Sequence, residues 1–404
     1  MTIIPNGVTA PKGFRASGIH CGIRKNKSKK DLALIIADCE CSAAAVYTTN
    51  RVKAAPIFIT RHHLESGTAR AILANSGNAN ACAPNGEENA LRMCHALAEH
   101  SDINVKDIIV NSTGVIGQPL PIDCIETAMP DLVSELSFMG SDDAANAIMT
   151  TDTLKKEVAV SFELDGKEVR IGAIAKGSGM IHPNMATMLA FVTTDCDITP
   201  TMLQRALSCS VKASYNRISI DGDTSTNDMT AILASGLAGN IRIITENENF
   251  VIFQRALDFI NLQLAKLIAK DGEGATRLVC CKVIGATDEA SAEKLSMSVT
   301  SSSLTKAAMF GTDANWGRVL CAMGYSGVEF NPELVDVSFE SAAGNILVCQ
   351  NGQGLPFDEK TAKEILSQDE VTILCDMKSG TATVETYGCD LTYDYVKING
   401  DYRT

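Results

Sequence analysis

The chain has 404 residues, room for two or three ordinary domains, and its 45% hydrophobic and 21% charged content is that of a globular protein. With 35 basic against 48 acidic side chains the net charge is −13, which repels nucleic acid and anionic membrane surfaces and leaves small zwitterionic molecules as the expected partners. The opening Met1-Thr2-Ile3-Ile4-Pro5-Asn6-Gly7 lacks the basic start and apolar core of a signal peptide, and no apolar run approaches the ~18 residues that span a bilayer, so a cytoplasmic protein is expected.

Strand-like runs occur at residues 32–37, 71–74 and 108–110, and the basic tract 24–30 reads as a solvated loop between strands. Helical periodicity covers 87–100 and 122–136. Between 158 and 171 the apolar residues Val158, Val160, Phe162, Val169 and Ile171 alternate around Asp165-Gly166, the signature of a hairpin with a type I′ turn. A longer helix is predicted over 250–270, where Phe253, Leu257, Ile260, Leu264 and Leu267 form one apolar stripe that stops at Asp271-Gly272. Strands and helices in this mixed order argue for an α+β fold, and neither a linker nor a fixed-period repeat divides the chain.

The 14 cysteines fall in apolar stretches such as 278–283 and 371–375, as reduced core residues do. There is no Cys-x-x-Cys pair, Cys39-Glu40-Cys41 has no partner at zinc-finger spacing, and the six histidines supply none, so no metal is expected.

The segment with most chemistry is Lys176 to Leu189, Lys-Gly-Ser-Gly-Met-Ile-His-Pro-Asn-Met-Ala-Thr-Met-Leu. If the Ala186–Thr187 bond breaks, Thr187 gains a free α-amine, titrating near ~8, beside its own hydroxyl, and a weak nucleophile acquires a built-in base. Gly177 and Gly179 would allow backbone angles closed to other residues, Pro183 fixes one more torsion, and Met188 to Val192 reads as a buried strand that holds the new terminus rigidly. Thr113-Gly114, a turn after the strand ending at Val110, is a candidate oxyanion site, because glycine lets a backbone N–H come close to substrate. Lys176 is a compact cation suited to a carboxylate, and Glu273, between two glycines, is an acceptor for an ammonium group.

Three other features read as structure. His182 has no carboxylate at a spacing that would orient it, so it is expected as a loop residue. Gly177-Ser178-Gly179 lacks the ending of a phosphate loop. Asp221 to Asp228 is rich in oxygen ligands but lacks the calcium-loop spacing, and is expected as a structural loop near the site, with Thr224 to Asn227 backing it.

Ordered segments spread over nearly the whole chain resemble the ornithine acetyltransferase family. They are 6–14, Asn75-Ser-Gly-Asn-Ala-Asn-Ala-Cys82, Ser112-Thr-Gly-Val-Ile-Gly117, Thr150-Thr-Asp-Thr153, the 176–189 run, Asp221-Gly-Asp-Thr-Ser-Thr-Asn-Asp228, Asp271-Gly-Glu-Gly-Ala-Thr276, 311–318 and 397–404. Ala83-Pro84, Arg277 and Gly400 depart from the usual family residues without touching a reactive group. The resemblance implies a layered β core flanked by helices, an autoprocessed acyltransferase of the N-terminal-nucleophile type, cut between Ala186 and Thr187. The pieces 1–186 (α chain) and 187–404 (β chain) would form one interdigitated body, assembled as an α2β2 heterotetramer. It also implies an oxyanion hole at Thr113 and Gly114 and a substrate pocket lined by Thr150, Lys176, Thr187, Glu273, Asn399 and Thr404. The implied reaction moves acetyl from N2-acetyl-L-ornithine to L-glutamate through an acetyl-threonine, without a cofactor, and some members also accept acetyl-CoA as donor. The rival readings are an amidase or aminopeptidase with the same nucleophile, which would release ornithine without glutamate, and a non-enzymatic nucleotide-binding or scaffolding protein, which would stay uncut.

Overall fold

The computed structural model describes residues 1–182 and 188–401, so Ala186, Thr187 and Thr404 lie outside the described residues. The N-terminal part supplies β1 (Thr2–Ile4), β2 (Phe14–Ile19), β3 (Leu32–Tyr47), β4 (Thr68–Asn78), β5 (Ile108–Val115), β6 (Lys156–Leu164) and β7 (Lys167–Lys176). After the undescribed gap come β8 (Leu189–Thr194), β9 (Ile218–Ser219), β10 (Met229–Ala234) and β11 (Leu278–Ala286). The last strands are β12 (Asp336–Ser341), β13 (Gly344–Gln350), β14 (Gln353–Gly354), β15 (Glu370–Asp376) and β16 (Ala382–Cys389).

These form two sheets among the described residues. The first runs β1-β6-β7-β8-β10-β3-β4-β5, with β2 also on β3; the second runs β14-β13-β12-β15-β11-β16-β9. In the first sheet β8 and β10 are wedged between β7 and β3, so strands from before and after residue 187 interleave. β8 lies antiparallel to β7 and parallel to β10. All six of its residues are buried, as expected of a strand covered on both faces. Ala190 and Val192 pack into the core that holds the long helix, while Leu189 and Phe191 face a second core with the helix Ser141–Ile148.

The expected hairpin is present: Leu164 pairs with Lys167, and Asp165 and Gly166 both take positive φ, 51° and 71°. The long helix is Glu248–Lys270, opened by the Asn247 side chain accepting from Phe250 N–H. Its buried stripe joins Val160, Phe162, Val169 and Ile171 of the first sheet to Leu278, Cys280, Tyr387 and Cys389 of the second, so this helix is the layer between the sheets. The expected helices at 87–100 and 122–136 appear as Gly86–Glu99 and Ile122–Ser134. The whole is the layered α+β architecture expected.

Three expectations need correction. Thr113-Gly114, which reads as a turn, instead continues β5, and β4 likewise runs past the apolar 71–74 run to Asn78: Asn75, Ser76, Asn111, Ser112 and Thr113 are all buried. Polar strands survive burial here because their side chains are satisfied internally, with Ser112 Oγ donating to Asn75 Oδ1 (2.6 Å) and Asn75 Nδ2 to Asn78 O (2.9 Å). β3 likewise runs ten residues past its apolar opening, across a register shift between Ile36 and Cys41. Finally, Cys82, Cys209 and Cys321 are exposed rather than in the core. No helix among the described residues is long and apolar enough to cross a membrane.

Candidate active site

The site is built around the connection from β7 to β8. Lys176 pairs with Leu189, and Leu189 with Met229 of β10, so the connection leaves and re-enters the sheet at one place. Its first half is held residue by residue. Asp152 accepts from Gly177 N–H (2.7 Å), Ser178 Oγ donates to Asp271 O (2.7 Å), and Glu273 N–H donates to Ser178 O (2.8 Å). Asp221 accepts from the N–H groups of Met180 (2.5 Å) and Ile181 (2.9 Å). On the far side Met188 N–H donates to Asp228 Oδ1 (3.0 Å).

Of the two glycines, Gly177 takes a positive φ, 159°, in line with expectation, while Gly179 does not. The left-handed residue in this approach is Met180, with φ 57°, a conformation that costs a non-glycine residue roughly 1–2 kcal/mol and is held here by Asp221. Gly179 instead makes room: a Cβ there would fall 2.4 Å from Glu273 Cδ. His182 bonds the Ser219 hydroxyl (3.0 Å), and burial pushes its imidazole down in pKa, in keeping with a neutral loop residue.

Thr113 and Lys176 meet in the interior. Lys176 Nζ lies 3.5 Å from Thr113 Oγ1, and each side chain's residue is about 2% exposed. Burial lowers the Lys176 pKa, and Asp152 pulls it back up. Thr113 sits near the end of β5, opposite Ser76, and Gly114 beside it has φ 136°. A Cβ on Gly114 would lie 2.3 Å from Gly77 C, so the close approach of β4 requires glycine here whatever ligand is nearby. Asn227 fixes the same strand, donating Nδ2 to Ser112 O (2.7 Å) and Ala79 O (2.6 Å).

Thr150 enters through a buried ion group. Its N–H donates to Asp152 Oδ2 (2.9 Å), and Lys156 Nζ stands between Asp152 (2.7 Å) and Asp271 (2.6 Å). Burial alone would raise the Asp152 pKa, but Lys176 and Lys156 hold it well below the usual carboxylate range. Asp271 in turn accepts from Thr153 N–H (3.1 Å), so the 150–156 segment is clamped to the end of the long helix.

The C-terminal helix Tyr393–Asp401 closes over the Asp271 loop. Asn399 Nδ2 donates to Glu273 Oε2 (2.7 Å), and Thr392 Oγ1 to Gly274 O (2.7 Å). A cavity of about 520 Å³ beside this helix is lined by Thr153, Asp271, Gly274, Thr276, Asp394 and Lys397, residues that adjoin the site without including Thr113 or Lys176.

Of the expected site residues, the fold thus gathers Thr113, Gly114, Thr150, Lys176, Glu273 and Asn399 around one connection, while Thr187, Ala186 and Thr404 lie outside the described residues. Residues not singled out from sequence also belong here. Asp152, Asp271 and Asp228 are visible in sequence only as members of polar segments, and Lys156 carries no motif at all, whereas Asn227 lies in the Thr224 to Asn227 stretch expected to back the site. Arg24, from the basic tract, turns inward to Ser76 Oγ (3.0 Å) and Met149 O. A buried cation, a carboxylate paired with an amide and a glycine-flanked hydroxyl can together bind a zwitterion and stabilise an oxyanion. Among the described residues no group of three or more His, Cys, Asp or Glu is arranged to hold a metal.

The ArgJ family model matches residues 15–404. The chain is 50% identical over 392 residues to "Arginine biosynthesis bifunctional protein ArgJ 1" of Clostridium acetobutylicum, covering 97% of this chain and 96% of that protein. It is 48% identical over 405 residues to "Arginine biosynthesis bifunctional protein ArgJ" of Caldanaerobacter subterraneus, covering 100% of both. Among solved structures, the ArgJ of Bacillus halodurans aligns with a TM-score of 0.50 at 43% identity, over 52% of this chain and 98% of that one.

Proposed function

The chain belongs to the ArgJ family, and on that premise we propose that it transfers acetyl from N2-acetyl-L-ornithine to L-glutamate in arginine biosynthesis, through an acetyl-threonine on residue 187. Self-cleavage between Ala186 and Thr187 leaves an α chain, 1–186, and a β chain, 187–404, whose first residue is the nucleophile. The Thr187 hydroxyl, deprotonated by its own α-amine, attacks the acetyl carbonyl; Thr113 and Gly114 stabilise the oxyanion; ornithine leaves; glutamate then takes the acetyl group. One amide is broken and an equivalent one made, so no cofactor is needed. Thr150, Lys176, Glu273, Asn399 and Thr404 complete the substrate pocket, Lys176 on the carboxylate side. Acetyl-CoA is a second donor to test, and the reading includes an α2β2 assembly and a cytoplasmic enzyme.

What carries this reading is the contact of Lys176 Nζ with Thr113 Oγ1 at the root of the connection in which residue 187 lies, both groups being buried. The interleaving of β8 and β10 with β7 and β3 supports a cut chain that stays in one body, because neither piece could pair its edges alone. The matched Bacillus halodurans chain, accounted for by about half of this one, has the length such a cut leaves.

A denaturing gel with N-terminal sequencing tests the cut: two fragments are expected, the second beginning Thr-Met-Leu-Ala. Incubation with N-acetylornithine should release ornithine only when glutamate is present. Release without glutamate would make the protein an amidase, and a single intact band would end the nucleophile reading.

A further inference from the structure

Cys39-Glu40-Cys41 is a sequence feature that the proposed reaction leaves unused, and the fold gives it a particular setting. The three residues lie inside β3, where that strand leaves β2, its partner from Leu32 to Ala37, and takes up β10, its partner from Ser42 to Tyr47. Here five steps along β3, Ile36 to Cys41, oppose two along β4, Ala71 to Ala69, so the strand is bulged. The two thiols come together at this bulge: Cys41 Sγ donates to Cys39 O (3.6 Å) and also bonds the Cys39 sulfur. Two fully extended residues span ~6.6–7.2 Å, at the upper edge of the Cα separation that a disulfide bridges (~6.8 Å), and a bulged strand is shorter than an extended one.

The surroundings of the two sulfurs differ in the way a reactive pair needs. Cys41 is 0% exposed, whereas Cys39 is half-buried, with the exposed Asp38 and Glu40 on either side of it. Cys39 Sγ lies 3.6 Å from Ser235 O, just past the end of β10. The charged groups facing the pair are Asp38 and Glu40 on β3 itself and Arg70 on β4. The Cys41 hydrogen bond outweighs burial and Asp38 and, with Arg70, brings the Cys39 thiol down to about 7, while the same bond and burial push Cys41 up. Among the described residues every other cysteine with a shifted thiol is shifted upward.

We propose that Cys39 and Cys41 are a site of reversible modification, a dithiol that exchanges with low-molecular-weight disulfides. The Cys39 thiolate attacks one sulfur of the small disulfide, making a mixed disulfide and expelling the other half as a thiolate, which takes up a proton. Cys41, its proton lost to solvent, then attacks the Cys39 sulfur and expels the second half. Two protein thiols are oxidised, one small disulfide is reduced to two thiols, and no other oxidant enters. The first step needs an accessible, ionised sulfur and the second a neighbour within reach; Cys39 supplies one and Cys41 the other. Because Cys39 stays accessible, small thiols can open the bridge again, so the exchange runs both ways. This inference concerns the corner of β3 and depends neither on acetyl transfer nor on cleavage of the chain.

The test treats the folded, full-length protein with glutathione disulfide, blocks the remaining thiols with N-ethylmaleimide, and maps the peptide that contains residues 39–41. The expected product is a disulfide between Cys39 and Cys41, neither sulfur alkylated, which dithiothreitol reverses. Cys41→Ala should stop at a glutathione adduct on Cys39. In that variant the midpoint of Cys39 alkylation against pH should rise from near 7 towards the ordinary ~8.5. Its exchange at pH 7 should slow about threefold or more, since a more basic thiolate is a better nucleophile and only partly offsets the lost ionised fraction. In the wild type, Cys39 and Cys41 both left free, or a lasting adduct on Cys39 beside a free Cys41, would overturn the proposal. So would an alkylation midpoint that Cys41→Ala leaves unmoved. The wild-type map needs no variant, so it decides the matter even if Cys41→Ala fails to fold.

Discussion

Gly179 and Glu273 occupy one space: a Cβ on Gly179 would fall 2.4 Å from both Cδ and Oε2 of Glu273. Because Glu273 Oε2 also accepts from Asn399, moving that carboxylate disturbs both sides of the proposed pocket. Gly179→Ala should therefore raise KM for N-acetylornithine at least tenfold with a smaller effect on kcat, measured by steady-state ornithine release.

Thr113→Ala removes a hydroxyl whose contact with Lys176 Nζ is long, 3.5 Å, so the folded state loses little. If Thr113 serves the oxyanion, kcat should fall by roughly 10²–10³, about 2.7–4 kcal/mol, while the melting midpoint stays near wild type. A drop of only a few fold would assign the oxyanion to other donors.

Lys156 has the opposite profile. Its residue is 1% exposed and it bridges Asp152 and Asp271, so Lys156→Met strands two buried carboxylates. The expected loss is about 3–5 kcal/mol of stability, read as a lower urea midpoint, and activity should fall with the fold.

Asp152 sets a pH dependence whose sign is fixed by its lowered pKa. Between its folded value and the unfolded value near ~3.9 the unfolded chain binds more protons, so its stabilising contribution is fully present above ~3.9 and is lost as pH falls through the folded value. Buried carboxyls shifted upward, such as Asp228 and Asp195, act in the other direction, so the comparison needs a variant. The excess stability of wild type over Asp152→Asn should be constant from pH 5 to 7 and shrink below pH ~4.

The C-terminal helix buries none of its own residues, yet Asn399 reaches Glu273. Removing 399–404 should abolish activity while leaving the melting midpoint within about 2 °C of wild type, because little apolar area is lost. Activity that survives the deletion would show that the helix end is dispensable.

The sequence by itself determined the elements whose signal is local. Alternation around Asp165-Gly166 defined the β6–β7 hairpin, and the stripe from Phe253 to Leu264 defined the long helix, because a two-residue turn and a 3.6-residue period are written in neighbouring side chains. The ordered motifs pointed to Thr113, Lys176, Glu273 and Asn399 for the same reason: each sits in a short segment that can be read alone.

Only the tertiary structure decided what these residues meet. Thr113-Gly114 reads as a turn in sequence, and is strand because distant segments satisfy its polar neighbour Ser112, Asn75 accepting from its hydroxyl and Asn227 donating to its carbonyl. Lys156 looks like any strand lysine until Asp152 and Asp271, the latter 115 positions away, enclose it. Gly179 and Gly114 are required by the space that Glu273 and Gly77 take up, not by a turn their own neighbours demand. Burial, charge pairing and close approach are properties of segments brought together from across the chain, and local composition does not contain them.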